Sequence, residues 1–359
     1  MDGLSNDLFL ELSSPAAAAQ YGPRPLPLFL QLLQRETAPD PDRRSAAMAG
    51  LRRLQTHARP APMVPAATIV SAGGARLLDY GGEGHPVVFV PSLINPASIL
   101  DLSPDASLLR WLAGRGVRPL LVDWGQPDDL GLDLAGHVER RLLPLLEGLG
   151  AAPTLAGYCL GGTLAIAAAA LRPVRALALI ATPWDFAGYA DGGRDSIDRL
   201  WSIGRPAAEA VGRVPMELLQ AGFWQLDPAA VVAKYAWFGT APPGPTIDRF
   251  VAVEDWANAG APLTLPAGRD LFERLFAGND TARGQWQVGG RPIDPAAIDV
   301  PVLNILSTAD RITPAAAAAP VGRILRLDLG HVGMIVGSRA RAALWEPLAD
   351  WLSRPHVSD

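Results

Sequence analysis

From Ala67 onward the chain alternates short apolar runs with longer segments of helical periodicity. Ala67 to Ser71 and Ala75 to Asp79 flank Gly73-Gly74, which predicts a hairpin. Pro86 to Pro91, Pro119 to Asp123, Thr154 to Cys159, Ala176 to Ile180, Val302 to Leu306 and Ile324 to Leu329 have the length and apolarity of buried strands. Helical patterning covers Pro104 to Ala113, with Ser103 as N-cap and Pro104 in the first position. It returns at His137 to Leu149, at Thr163 to Leu171 and in a final helix around Ala340 to Leu352. Strands alternating with helices predict an α/β fold: a mostly parallel sheet with helices on both faces.

The alternation fails in two places. Before Ala67 the chain is rich in Ala, Pro and Arg, with two amphipathic stretches, Leu26 to Leu33 and Arg43 to Leu54. Residues 1–66 are expected to form an N-terminal helical arm, partly mobile. From Trp184 to about Asp299 the strand–helix rhythm is lost. Residues 185–299 are therefore expected to be a lid or cap inserted over the C-terminal edge of the sheet, between core segments 67–184 and 300–359.

Composition narrows the class. The chain has 359 residues, 49% hydrophobic and 19% charged, enough for one large α/β domain with an insertion or for two domains. A net charge of −5 gives no electrostatic footprint for nucleic acid. A single cysteine excludes an intrachain disulfide framework and suits a reducing cytoplasm, the expected location. The first residues, MDGLSNDLFLELSS, lack the basic start of a signal peptide, and no run approaches the roughly 18 apolar residues of a membrane span.

That cysteine, Cys159, lies in Gly157-Tyr158-Cys159-Leu160-Gly161-Gly162, between a predicted strand and a predicted helix. This is the setting of a nucleophile elbow, with Cys where Ser is commoner. The flanking glycines admit a turn that a Cβ would obstruct, and a helix N-terminus favours thiolate. The competing reading is a small buried hydrophobe, the usual fate of a free cysteine.

A thiol nucleophile needs a base, and the base an orienting acid. His57 and His356 lie near the ends, and His85 precedes a strand at the wrong edge. His137 opens a helix, where capping or exposure accounts for it. His331 follows the last predicted strand on the Gly-rich loop Leu329-Gly330-His331-Val332-Gly333, where a base is needed. Two acids fit in chain order: Asp310, with Pro314 following and one strand between it and His331, and Asp185, whose other reading is a helix N-cap. For the oxyanion, the N–H of Leu160 is one expected donor, and that of Leu93 or Ile94, after the first central strand, is the second.

Cysteine in place of serine points to acyl transfer. A thiolate that attacks a thioester forms another thioester, so the acyl group stays activated for an alcohol. Water must then be excluded. Phe186, Trp201, Phe223, Trp224, Tyr235, Trp237, Phe238, Phe250 and Trp256 in the insertion either line an apolar tunnel or form its core.

From Val88 to about Trp351 the chain resembles the polyhydroxyalkanoate synthases. The resemblance rests on Pro91-Ser92-Leu93-Ile94-Asn95-Pro96, Ile99-Leu100-Asp101-Leu102-Ser103-Pro104, Asp123-Trp124-Gly125-Gln126-Pro127 and the Cys159 box. It continues through Val253-Glu254-Asp255-Trp256, Val288-Gly289-Gly290, Pro301-Val302-Leu303-Asn304-Ile305, Asp310 and Gly330-His331. The resemblance implies an α/β-hydrolase fold and polymerisation of (R)-3-hydroxyacyl-CoA with release of CoA. Cys159 would carry the chain, His331 would deprotonate it, and Asp310 would activate the incoming 3-hydroxyl or orient His331. It implies a coenzyme A thioester as substrate, with no permanently bound cofactor and no metal. The length matches the short synthase classes, which implies a second, non-homologous subunit, a polyester granule surface and scope for a homo-oligomer. Arg311 departs from the pattern, since the family usually has His after the acid. Three other readings stay open: an acyl-CoA hydrolase or acyltransferase that makes no polymer, a cysteine hydrolase like dienelactone hydrolase, and a non-catalytic binding protein of this fold.

Overall fold

The computed structural model describes residues 21–354. Its centre is an eight-stranded sheet: β1 (Ala67–Ala72), β2 (Ala75–Asp79), β3 (Pro86–Val90), β4 (Arg118–Asp123), β5 (Thr154–Tyr158), β6 (Ala176–Ile180), β7 (Val302–Ser307) and β8 (Arg323–Leu327). In space the order is β1-β2-β4-β3-β5-β6-β7-β8. β1 and β2 form the expected hairpin and β2 runs antiparallel to β4, whereas β4, β3, β5, β6, β7 and β8 are parallel. Successive residues of a strand face opposite sides. Leu155, Leu177 and Leu179 accordingly enter one apolar layer, and Ala156, Ala178 and Ile180 the other. With both faces covered, β5 and β6 are buried along their whole length, which is why they read as unbroken apolar runs.

Two helix starts differ from the sequence reading. α3 spans Leu108–Ala113, not Pro104 onward, because Ser107 Oγ accepts from Arg110 N at 3.1 Å and sets the first turn there. Pro104 instead lies in the loop that bridges Asp101 to Ser107. The next helix, α4, begins at Leu134, where Asp133 caps Gly136 N at 2.6 Å, and runs through a π turn at Val138–Leu142 to Glu147. His137 is therefore neither a cap nor exposed. It is buried, its Nδ1 is 2.8 Å from Asp133 O, and its ring meets Trp124 edge-on.

Burial lowers the His137 pKa to about 4. Below pH 6.5 the unfolded chain binds a proton that the folded chain refuses, so stability falls as pH drops from about 6.5 to about 4. The loss reaches roughly 3 kcal/mol. Melting temperatures between pH 7 and 4 check this, and His137→Gln should show the smaller acid loss.

After α5 (Leu160–Leu171) and β6 the chain builds a helical cap: α6 (Asp191–Val211), α7 (Met216–Leu226), α8 (Pro228–Thr240) and α9 (Pro245–Ala257). Two N-terminal helices, α1 (Leu26–Glu36) and α2 (Pro41–Thr56), pack on it. Phe29, Leu32, Leu33, Leu51 and Leu54 share one apolar cluster with Trp224, Tyr235, Phe238, Ile247 and Val251. α2 and α8 meet at Gly50 and Gly239, where a Cβ would stand 1.9 Å from Tyr235 O and 2.4 Å from Ala46 O. Arg53 Nη1 caps α8 by donating to Phe238 O at 2.7 Å and Ala241 O at 2.6 Å, and Arg59 forks onto Asp255 at 2.8 Å. Gly50→Ala should destabilise the protein by about 1–3 kcal/mol through overpacking, read as a lower melting temperature. An unchanged melting temperature would mean that α2 is not seated on α8. Residues 1–20 of the expected arm, and His356, lie outside the described residues.

Candidate active site

Cys159 follows β5 directly and occupies the N-cap position of α5 at φ 57° and ψ −135°. A positive φ at a residue with a side chain is strained and is held only where the surroundings dictate it. Here the turn is pressed between β3 and β6. A Cβ on Gly161 would lie 2.1 Å from Val90 O, and one on Gly162 would lie 1.8 Å from Thr182 Oγ1. Cys159 N donates to Ile180 O at 2.9 Å, fixing the elbow to the neighbouring strand. The thiol is half-buried and faces the cap.

The loops after β7 and β8 bring Asp310 and His331 together. His331 Nδ1 is 2.6 Å from Asp310 Oδ2, and both side chains are buried. Asp310 Oδ1 accepts from Ile312 N at 2.8 Å and Thr313 N at 2.9 Å, so the carboxylate is fully engaged. With Nδ1 committed to the acid, Nε2 is left for Cys159, which lines the same cavity as His331. Burial opposes the imidazolium, but the Cys159 and Asp310 charges and their hydrogen bonds outweigh it and raise His331 to about 10.

Residues beyond the sequence reading complete the support. Tyr158 stacks on the His331 ring at 5.0 Å and donates its hydroxyl to His331 O at 3.2 Å. Ser307 Oγ donates to Leu329 O at 2.6 Å and accepts from Leu329 N at 3.0 Å, tying the acid loop to the histidine loop. Tyr158 sits inside the cysteine motif and was open to notice, whereas nothing in the sequence marks Ser307.

Asp185, the other acid considered, is placed elsewhere. Its Oδ1 accepts from Ala187 N at 3.0 Å and Asn279 Nδ2 at 2.8 Å, capping the short helix Phe186–Gly188. Of the two oxyanion-loop amides, Ile94 N donates to Ser92 Oγ at 3.1 Å, which leaves Leu93 the freer donor. Leu160 N is the first amide of α5, where no helical carbonyl partners it. Arg311 pairs with Asp227, the N-cap of α8, and so joins the acid loop to the cap.

Two cavities meet at Cys159. The smaller, about 90 Å³, is walled by Phe186, Tyr189, Leu219, Phe272, Phe276 and Thr313. The larger, about 450 Å³, is walled by Trp224, Trp237, Phe250 and Trp256, with Lys234 and Glu254 as its charged pair at 2.5 Å. Both alternatives for the cap aromatics are thus realised in part. Trp201 stacks on Phe272 in the cap interior, and Tyr235 and Phe238 face α1 and α2. Among the described residues no group of three or more His, Cys, Asp or Glu side chains could hold a metal, and no helix is long and apolar enough to cross a membrane.

The chain is similar to the poly(3-hydroxyalkanoate) polymerase subunit PhaC of Haloferax mediterranei, 28% identical over 302 residues, 77% of this chain and 61% of that one. It is 27% identical to the subunit of the same name from Haloarcula marismortui over 79% of this chain and 63% of that one. With that of Allochromatium vinosum it shares 27% identity over 75% of this chain and 80% of the relative. The chain therefore spans less than two thirds of the length of the first two relatives. No protein-family model matches. Among solved structures, a hydrolase from Pseudomonas aeruginosa superposes with a TM-score of 0.52 at 19% identity, covering 78% of this chain and 94% of that one. An epoxide hydrolase from Bacillus megaterium gives 0.51 at 13% identity, covering 79% and 99%. These neighbours establish the α/β-hydrolase fold.

Proposed function

We propose that this chain, a relative of the poly(3-hydroxyalkanoate) polymerases, is an acyltransferase that links (R)-3-hydroxyacyl groups from coenzyme A thioesters into a polyester. The observation that carries the reading is the Cys159–His331–Asp310 array, a half-buried thiol beside a buried His–Asp pair, at the junction of two largely apolar cavities. Such walls keep water from an acyl group that must survive until an alcohol reaches it.

In the first half-reaction the Cys159 proton passes to His331 and the thiolate attacks the thioester carbonyl. The Leu160 and Leu93 amides receive the oxyanion. The carbon–sulfur bond to CoA breaks, and the CoA thiolate takes the proton from His331. In the second, His331 takes the proton of a 3-hydroxyl, and that oxygen attacks the Cys159 thioester. An ester forms and the Cys159 thiolate leaves. Asp310 keeps His331 in the tautomer and orientation that both halves need.

Incubating the protein with (R)-3-hydroxybutyryl-CoA, beside Cys159→Ala, tests the reading. Polyester that depends on Cys159 is the expected product. Free 3-hydroxybutyrate in its place would make the chain a hydrolase, and CoA release alone cannot distinguish the two. A granule surface, a second synthase subunit and a cytoplasmic setting belong to this proposal, and co-expression with a candidate subunit extends the same assay.

A further inference from the structure

The smaller cavity contains a polar feature that the reaction scheme above does not use. Thr313 is buried, and its Oγ1 has no hydrogen-bond partner. The residue is fixed in place because its own N–H holds Asp310, yet its side chain lines the chamber shared with Cys159. Tyr189, also buried, lies on the same wall. Burial, and then the charges of Cys159 and Asp310, raise its phenol. It approaches Thr313 Oγ1 without closing a well-formed hydrogen bond. Around them stand Phe186, Leu219, Phe272 and Phe276.

A buried hydroxyl with no partner is unfavourable unless a ligand supplies one. An oxygen on the third carbon of the acyl group fits that need. A free 3-hydroxyl both donates and accepts, and Thr and Tyr hydroxyls do the same. Once esterified, that oxygen only accepts, and either protein hydroxyl can still donate to it.

We propose that Thr313 and Tyr189 form a subsite for the C3 oxygen of the acyl group carried by Cys159, selecting 3-hydroxyacyl over unsubstituted acyl thioesters. This rests on the acyl-transfer reading above. A pocket built to hydrogen-bond a substrate hydroxyl discriminates strongly against the analogue that lacks it, whereas a purely apolar pocket does not.

The test is single-turnover acylation of Cys159, followed by intact-protein mass spectrometry, with 3-hydroxybutyryl-CoA and butyryl-CoA. The wild type should favour the hydroxylated substrate. Thr313→Val should lower the ratio of the two rates by about tenfold to a hundredfold, and Tyr189→Phe should lower it less. Thr313→Ser, which keeps the hydroxyl, should restore it. Equal loss for both substrates in Thr313→Val would overturn the subsite and leave Thr313 as a mere support for Asp310. A wild type with no preference would overturn the subsite while acyl transfer stands. Absence of acyl-enzyme from either substrate would overturn the acyl-transfer reading itself, and the subsite with it. Melting curves for each variant separate loss of fold from loss of selectivity.

Discussion

Cys159→Ala is expected to abolish acyl-enzyme formation and to lower CoA release by roughly 10⁵- to 10⁶-fold. The chain has no other thiol, and the half-buried Cys159 sulfur, which shares a cavity wall with His331, is the proposed nucleophile. The loss should be chemical rather than structural. Alanine keeps a Cβ in the same left-handed turn, so the strain at φ 57° is unchanged and the melting temperature should move little. Intact mass after mixing with the thioester reads the result directly. An acylated alanine variant would remove Cys159 from the mechanism.

Asp310→Asn is expected to divide the two half-reactions. A thiol ionises readily and is a strong nucleophile with modest help, so acylation should survive in weakened form. An alcohol is a far weaker acid and depends on a base held in the right tautomer. Asparagine would present an amide to His331 Nδ1, where the carboxylate now accepts at 2.6 Å, and would favour the wrong ring proton. Overall turnover should fall by about 10³- to 10⁴-fold, with acyl-enzyme accumulating. Mass spectrometry of the stalled species, beside the steady-state rate, checks this. Equal losses in both steps would show that acylation also requires the oriented ring. His331→Gln, which removes the base altogether, should slow both steps by orders of magnitude.

The sheet was legible because its strands are buried on both faces and read as short apolar runs, with Ala176–Ile180 matched to the residue. The cysteine turn and the two loops behind it were legible because strand order and glycine placement restrict where a nucleophile, acid and base can lie. Local capping was less so. Sequence alone places the cap at Ser103, whereas the bridge from Asp101 to Ser107 carries the chain past Pro104 and puts it at Ser107. His137 resembled a surface residue because what buries it, the Trp124 ring, comes from the β4 loop. The two acids likewise differ through tertiary packing: Asn279 of the cap claims Asp185, while Ser307 ties the Asp310 loop to His331. Tyr189 and Thr313 carried no motif at all. Their significance lies in a wall built from distant segments.

The packing of α1 and α2 has a practical consequence for anyone trimming this protein. The hairpin at Ala67 looks like a natural place to begin a minimal fragment, since every strand among the described residues and every proposed reactive group lies beyond it. Yet Trp224 and Phe250 belong at once to the cluster closed by the two N-terminal helices and to the wall of the larger cavity. A fragment cut at that hairpin would expose Tyr235, Phe238 and Val251 as a sticky face and would unbrace the larger cavity from behind. The smallest useful version of this protein is therefore not the one with the smallest sheet, and libraries aimed at the cavities should treat the buried surfaces of α1 and α2 as part of their walls.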